Sequence, residues 1–259
     1  MKGRCALITG STQGLGLAMA TRFAKEGCNI VLNGLGDPGA VERTRQQIER
    51  EHGVRVLYHG ADLVEPGQIA DLVTTAERTF GAVDILINNA VVRYFAPLEK
   101  FRVEDWDRAL AVNLSAAFHT TRLVLGGMRR RNFGRIVNMS SIYGQRATVN
   151  RIDYVTTKTA LIGFTRAVAL EAAGQDITCN AICPGTSPSP AIEERLAGEM
   201  AKSGLTRDKA VEQFMSSRQP SRRFVAMEGV AALAAFLCGP GGKDLTGAAL
   251  PIDGGWSAS

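Results

Sequence analysis

Short apolar runs alternate with longer amphipathic stretches from the first residues of this chain onward. Ala6-Leu7-Ile8 is the first apolar run, and a helix-period pattern follows over residues 15–27. Asn29-Ile30-Val31-Leu32 predicts a second strand, residues 39–52 a polar-faced helix, and Val54-Arg55-Val56-Leu57-Tyr58 a third strand. Residues 66–80 have helical period, and Asp84-Ile85-Leu86-Ile87 reads as strand four. Two helices fill residues 104–131, Arg135-Ile136-Val137-Asn138-Met139 forms strand five, and a long helix covers 152–173. Strand six is Ile177-Thr178-Cys179-Asn180-Ala181-Ile182, and Ala249-Leu250-Pro251-Ile252 is the last strand. Pro251 places that strand near an edge or end of the sheet, because proline cannot donate to a ladder.

Such β-α alternation predicts an α/β fold: a Rossmann-like, doubly wound parallel sheet covered by helices on both faces, with right-handed crossovers. No Pro/Gly-rich linker, composition shift or internal repeat divides the chain, so residues 1–259 read as a single domain. Residues 186–224 break the rhythm with Ser187-Pro188-Ser189-Pro190, charged helices near 191–202 and 206–217, and a basic turn. Ligands of open α/β sheets bind beyond the carboxyl ends of the strands, so an insertion directly after strand six is expected to be a substrate lid.

Composition narrows the function classes. The 259 residues suffice for one large α/β domain, and 45% hydrophobic with 21% charged residues is ordinary for a soluble globular protein. The formal charge of +5 is modest. Arg129-Arg130-Arg131 and the group Arg218, Arg222 and Arg223 read as solvated helix ends and loop surface. Neither group has the interleaved aromatics of a nucleic-acid surface, so no nucleic-acid partner is expected. Five cysteines without a Cys-x-x-Cys pair read as small buried hydrophobes in a reducing compartment. The N-terminus enters the first strand at once, so no signal peptide is expected, and no apolar stretch approaches the ~20 residues of a membrane helix. These features predict a cytoplasmic enzyme without a membrane partner. His52, His59 and His119 pair with no serine or metal-ligand set, which disfavours hydrolase and metalloenzyme chemistry; no metal is expected.

Between strand one and its helix lies Thr9-Gly10-Ser11-Thr12-Gln13-Gly14-Leu15-Gly16. Glycines there permit a tight turn and close backbone approach, and the helix N-terminus offers free N–H groups and a positive dipole end to a pyrophosphate. The spacing is Gly-x-x-x-Gly-x-Gly, and its place in the β-α series marks a dinucleotide site. Strand two should end beside the adenosine ribose, near Asn33-Gly34-Leu35. No arginine or lysine lies from 29 to 42, and Gln13 is uncharged where a cation could meet a 2′-phosphate, so NAD is expected. No acidic residue occupies 33–35, and Asp37 is the nearest carboxylate for the ribose hydroxyls. Downstream, Tyr154 and Lys158 stand at i and i+4 on one predicted helix, where phenol and ammonium can share a site. A neighbouring cation favours the phenolate and makes a tyrosine usable for proton transfer near neutral pH.

These pieces resemble the short-chain dehydrogenase/reductase family over essentially the whole chain. The matching motifs are Thr9-Gly10 through Gly16, Asp62-Leu63, Asn88-Asn89-Ala90, Asn113, Ser140-Ser141, Tyr154-x-x-x-Lys158 and Pro184-Gly185; Val91 stands where the family usually has glycine. The resemblance implies that Tyr154 is the general acid/base, with Ser141 bonding the same substrate oxygen. It also implies that Lys158 lowers the tyrosine pKa and binds the nicotinamide ribose, and that Asn113 helps hold a proton-relaying water. Asp62 and Leu63 would flank the adenine, Asn89 and Ala90 would line its ribose, and Pro184, Gly185, Thr186 and Ser189 would hold the nicotinamide side. Ser140 and Asn88 are expected to be structural. The family also implies a homotetramer.

Within the family, the chain is similar to the bacterial 3-hydroxybutyrate dehydrogenases. The similarity rests on Asn33-Gly34-Leu35-Gly36-Asp37, Asn113-Leu114-Ser115-Ala116, Ile177 through Gly185, Gln219-Pro220-Ser221 and Asp253-Gly254-Gly255-Trp256. That implies NAD-dependent interconversion of (R)-3-hydroxybutyrate and acetoacetate. The pocket positions depart from the subgroup: Arg93 replaces a glutamine, Tyr143 a histidine, Arg151 a lysine and Thr186 a tryptophan, while Trp256 is kept. Arg93 and Arg151 offer planar forks suited to an oxyanion, more charge than one small monocarboxylate requires. A larger or more anionic hydroxy compound, such as a hydroxy-dicarboxylate, sugar acid or sulfonate, is the alternative substrate. A dinucleotide-binding regulator that does no chemistry is a remote second class.

Overall fold

The inner strands of the sheet bury nearly every side chain they carry, as a sheet covered on both faces requires. In the computed structural model, which describes residues 1–189 and 192–259, β1 (Cys5–Ile8) is buried at all four positions. It leads into α1 (Gly14–Lys25), β2 (Asn29–Asn33), α2 (Pro38–His52), β3 (Val56–His59), α3 (Pro66–Phe80) and β4 (Ile85–Asn88). The second half runs α4 (Val103–Leu110), α5 (Ala116–Arg131), β5 (Gly134–Met139), α6 (Ile152–Glu171), β6 (Ile177–Pro184), α7 (Pro190–Ser203), α8 (Arg207–Met215), α9 (Met227–Cys238) and β7 (Ala249–Ile252). All seven strands are parallel, in the order β3-β2-β1-β4-β5-β6-β7.

Period-2 alternation divides the core into two layers. Ala6, Ile8, Ile30, Leu32, Ile85 and Ile87 face a cluster with Met19 and Phe23 of α1 and Val230 and Ala234 of α9. Cys5, Leu7, Val31 and Leu86 face the opposite layer, with Ile69 and Leu72 of α3, Val124 and Met128 of α5, and Val168 of α6. β7 is one of the two edge strands, and Pro251 pairs with Cys183 there with its side chain exposed. All five cysteines are free and buried, and burial pushes the Cys28 thiol up to about 11 and Cys179 to about 12.

Three features differ from the sequence pattern. α9 has no counterpart among the predicted helices: Met-Glu-Gly-Val-Ala-Ala-Leu-Ala-Ala-Phe-Leu-Cys is apolar almost all round, so it carries no polar stripe to betray its period. The helices expected over 104–131 form one run in which a π-helical turn, Ala111–Ser115, joins α4 to α5. Finally, β6 extends two residues past the predicted end, through Pro184. The segment after β6 folds as two helices with their own cluster: Leu196, Ala210, Val211 and Met215, with Ile192 and Phe214 packed on it.

Candidate active site

Parallel strands bring the residues that follow each of them to one edge of the sheet. The chain moves outward through β1-β2-β3, then returns to place β4 beside β1, opening a crevice at that switch point. The turn from Gly10 to Gly16, the Asn89–Arg93 segment after β4, the Ser140–Tyr143 segment after β5 and the Gly185–Ser189 segment after β6 all leave the sheet at this edge.

The glycine turn is a cradle that side chains would fill. Gly10 has φ +61, and a Cβ there would lie 2.8 Å from Ala90 Cα. A Cβ at Gly16 would meet the Gly10 carbonyl oxygen at 2.2 Å and Asn89 Nδ2 at 2.6 Å. Gly14 has φ +56 and open space around it. Gln13 occupies the N-cap of α1 without capping it through its side chain, and the first turn holds no acidic residue. The α1 N-terminus therefore presents N–H groups and an uncompensated positive end, with half-buried Thr12 and Leu15 beside it, and this fits a pyrophosphate. Asn89 ties the crevice together, with Nδ2 donating to the carbonyls of Thr9 and Gly10 at 2.9 Å each. Thr9 Oγ1 accepts from the Asn89 and Ala90 N–H groups.

Several residues expected to contact the cofactor also brace the protein internally. Ser11 is fully buried; its hydroxyl donates to Ile8 O at 2.7 Å and accepts from Asn33 N, while its N–H donates to Asn33 O. Asn33 is fully buried too, with Nδ2 on the carbonyls of His59 and Ala61. Asp37 Oδ1 caps α2 through Ala40 N at 2.8 Å. Arg43, one residue beyond the cation-free stretch, reaches back so that Nη1 would lie 3.4 Å from a Cβ at Gly39. Leu35 is 61% exposed at the mouth. Asp62 accepts from Val64 N and stands 3.7 Å from Arg108, with Leu63 buried beside it. Ser189 caps α7 through Ile192 N, and the buried Oγ of its neighbour Ser187 has no hydrogen-bond partner.

The reactive cluster sits where β5 and α6 meet. Ser141 is extended backbone at the N-cap of a 3-10 turn, Ile142–Gly144, and its Oγ accepts from Tyr143 N at 3.1 Å. Tyr154 and Lys158 are one helical turn apart on α6, both buried. Ser140 donates to Lys158 O at 2.7 Å, as expected of a structural residue. Lys158 Nζ donates to Met139 O at 2.6 Å and lies 5.6 Å from the Tyr154 ring centre. Burial alone would push the Tyr154 phenol up; Arg93 and Lys158, with Ser141 and Arg93 as polar neighbours, more than reverse this and bring it down to about 8. Lys158 is also pulled down to about 8, by burial against the counteracting Tyr154. A phenol and an ammonium that both titrate near mildly alkaline pH can exchange a proton with a bound oxygen.

Asn113 lies on the π-turn, a deviation frequent at functional sites. Its amide clamps Val92 from both sides, accepting from Val92 N at 2.8 Å and donating to Val92 O at 3.0 Å. Asn88 joins a buried network with Thr120, Thr121 and Asn138, as a strand-end residue should.

Of the predicted substrate residues, Arg93, Arg151 and Tyr143 surround the Tyr154 phenol, while Trp256 packs on Tyr143 and Thr186 bonds Gln219. Arg93 places its guanidinium carbon 5.3 Å from the Tyr154 ring centre, and Arg151 does so at 4.6 Å while also covering Phe95 at 4.2 Å. Arg151 Nε is buried without a partner, and burial pulls this guanidinium below the ordinary arginine value. Tyr143 meets Tyr154 edge-on at 6.4 Å and Trp256 at 5.4 Å. Thr186 N–H donates to Gln219 Oε1, and Gln219 Nε2 donates to Arg223 O at 2.8 Å. Sequence reasoning missed Gln219 as a fully buried bolt between the β6 exit and the turn after α8, and Asp153, fully buried beside Tyr154 with Oδ1 unpartnered. Gln219 meets Thr186 and Asp153 meets Tyr94 from far off in sequence, so no spacing announces them.

Among the described residues no group of three or more His, Cys, Asp or Glu could hold a metal, and no helix is long and apolar enough to cross a membrane. The family description "short chain dehydrogenase" matches residues 4–199. The D-beta-hydroxybutyrate dehydrogenase of Cupriavidus necator is 40% identical over 100% of this chain and 99% of its own length. That of Rhizobium meliloti is 40% identical over 98% of this chain and 99% of its own. L-Sorbose reductase from Gluconobacter frateurii, solved with NADPH and L-sorbose, superposes with a TM-score of 0.93 at 29% identity, over 100% of this chain and 98% of that one. With this match and the Ser141, Tyr154 and Lys158 geometry, the chain belongs to the short-chain dehydrogenase/reductase family, oxidoreductases that act on CH–OH groups.

Proposed function

We propose that this protein is an NAD-dependent dehydrogenase that interconverts a hydroxy acid and its keto acid, with (R)-3-hydroxybutyrate and acetoacetate as the substrate pair. The observation that carries this reading is the set of cations around one perturbed phenol: Lys158 behind Tyr154, and Arg93 and Arg151 over its ring. The first tunes a proton-transfer group; the other two suit a carboxylate on the molecule it acts on. The full-length similarity to two D-beta-hydroxybutyrate dehydrogenases supports the chemical class.

In this reading Ser141 Oγ and the Tyr154 hydroxyl hold the substrate oxygen. Tyr154 takes the hydroxyl proton during oxidation and returns it during reduction. Lys158, anchored on Met139 O, keeps positive charge beside the phenolate. Asn113 fixes the Val92 backbone on the cofactor side, which leaves any proton relay to its backbone carbonyl on the π-turn. Gly10, Gly14, Gly16 and the α1 N-terminus hold the dinucleotide, with Asn89, Ala90 and the Pro184–Thr186 segment along its length. When bound, its nicotinamide supplies the hydride acceptor or donor. The end of β2, Asn33-Gly34-Leu35, offers no cation to a 2′-phosphate, which supports NAD. α7 and α8 act as the lid, and the protein works as a homotetramer in the cytoplasm.

A second substrate reading is favoured by the two arginines themselves: the same chemistry on a larger or more anionic hydroxy compound. Steady-state rates with (R)-3-hydroxybutyrate, using NAD and NADP in parallel, test both points. A KM at or below about 1 mM with NAD and higher kcat/KM than with NADP is expected. A KM far above ~1 mM with feeble turnover would remove 3-hydroxybutyrate, and preference for NADP would remove NAD.

A further inference from the structure

Beside Tyr143 lies an open cleft of ≈ 310 Å³. It is lined by Tyr143, Arg146, Thr148, Ser217, Arg218 and Trp256. Its two arginines come from different parts of the chain, one following the Ser141 turn and one following α8. Neither stands within ion-pair distance of a carboxylate among the described residues. Each is instead fixed by a backbone carbonyl: Arg146 Nη1 donates to Trp256 O, and Arg218 Nη1 to Phe214 O at 2.9 Å. The Arg218 guanidinium also stacks on the Phe214 ring at 4.2 Å. A guanidinium held by one of its donors keeps the others for a ligand, already oriented.

Tyr143 borders both this cleft and the reactive cluster. Its ring is one step of 6.4 Å from Tyr154 and one of 5.4 Å from Trp256. Arg93 and Arg151 already stand over the Tyr154 ring, so a single carboxylate is provided for there. A second pair of arginines beside Tyr143, free of carboxylate partners among the described residues, suits a second negative group. The volume, about ten times a water's share of the liquid, admits a compact oxyanion on a short tail.

We propose that the cleft bounded by Arg146 and Arg218 is a distal anion subsite, and that the substrates it selects are 3-hydroxy acids carrying a second oxyanion at the far end. This rests on the hydroxy-acid reading of the Ser141, Tyr154 and Lys158 site. It deepens that reading by naming the substrate class and the residues that choose it. 3-Hydroxybutyrate, which ends in a methyl group, leaves the cleft unfilled and serves as the internal reference.

The test uses three substrates with one head, 3-hydroxybutyrate, 3-hydroxyglutarate and 3-hydroxyadipate, on the wild-type protein and on Arg218→Gln and Arg146→Gln. The expected result is a kcat/KM for one of the two diacids at least about tenfold above 3-hydroxybutyrate in the wild type, the size of a charge-assisted hydrogen bond. Arg218→Gln should erase that advantage through KM and leave 3-hydroxybutyrate within about twofold, as its guanidinium lies outside that molecule's reach. Diacids no better than 3-hydroxybutyrate in the wild type, or equal losses on all three in Arg218→Gln, would overturn the proposal. Binding of glutarate and of butyrate to the wild-type protein with NADH, followed by nicotinamide fluorescence, needs no variant and no turnover. Glutarate acting at about tenfold lower concentration supports the subsite, and equal potency overturns it. If only diacids are oxidised, 3-hydroxybutyrate fails as substrate while the subsite stands. If nothing is oxidised yet glutarate still discriminates, the catalytic reading fails alone.

Discussion

Arg93 is the largest of the influences that bring the Tyr154 phenol down to about 8, ahead of Lys158. Replacing Arg93 with glutamine should therefore move the proton-transfer step to higher pH. The size of the move follows from distance and screening. Taking the 5.3 Å from the guanidinium carbon to the ring centre as the charge separation, two unit charges interact by about 3 kcal/mol at an effective dielectric of ~20 and by about 0.8 kcal/mol in bulk water. Arg93 is exposed, so screening places its effect between these limits, near 1.5 kcal/mol, or about one pH unit. The sign is unambiguous. Removing a positive charge destabilises the phenolate, so the ionised fraction at pH 7 falls and the rising limb of hydroxy-acid oxidation shifts upward. In the reverse direction the protonated phenol persists to higher pH, and keto-acid reduction keeps its rate further into the alkaline range. The assay is the pH profile of kcat/KM in both directions, which reports the free enzyme. Tyrosinate absorbance, referenced to Tyr154→Phe, gives the same pKa without turnover. In the proposed function Arg93 also binds the substrate, so the height of the profile should drop, but a binding loss alone leaves the limb in place. A limb that stays within about 0.3 pH units of wild type would refute the electrostatic argument, being far below the shift that a charge at this distance produces.

Gly16→Ala should weaken dinucleotide binding and lower stability by about 1–3 kcal/mol, because its Cβ meets backbone at 2.2 Å and the turn has to move. Gly14→Ala, which meets nothing but sits at φ +56, should cost only about 1–2 kcal/mol; NADH affinity and urea unfolding separate the two. If Gly16→Ala binds NADH like wild type, the cradle is misassigned. Gln219→Ala should leave the Thr186 N–H and the Arg223 carbonyl without partners and destabilise the base of the 186–224 segment by roughly 1–3 kcal/mol. Limited proteolysis within 186–224 should then accelerate while the melting of the remaining core changes little; unchanged cleavage would contradict the bolt.

The fold was legible because each layer of the sheet writes a local signature: runs such as Ile85-Leu86-Ile87 between amphipathic helices, with glycines where the chain must turn tightly. α9 escaped because a helix without a polar face has no visible period. The reactive residues were legible from motif and spacing, since Tyr154 and Lys158 need only one helix to meet. Their surroundings were not. Ser11 and Asn33 lie in a cofactor motif, yet they brace each other across β1 and β2, and only the register of the sheet reveals it. Arg218 belongs to a cluster that reads as solvated surface, but the fold turns it toward Trp256 and Tyr143. Asp153, Gln219 and Arg146 depend on contacts between distant segments, which no local pattern encodes.

The central claim is that the Tyr154 hydroxyl carries the proton in a hydride-transfer reaction on a hydroxy acid. Tyr154→Phe removes that single oxygen from a buried ring and leaves the packing, Lys158 and the glycine turn in place. Its rate of NAD reduction with the best hydroxy acid, set beside its NADH affinity, tests the claim most directly. The account predicts a fall in kcat on the order of 10²–10⁴-fold with NADH binding unchanged. A variant that turns over within a few-fold of wild type would contradict it.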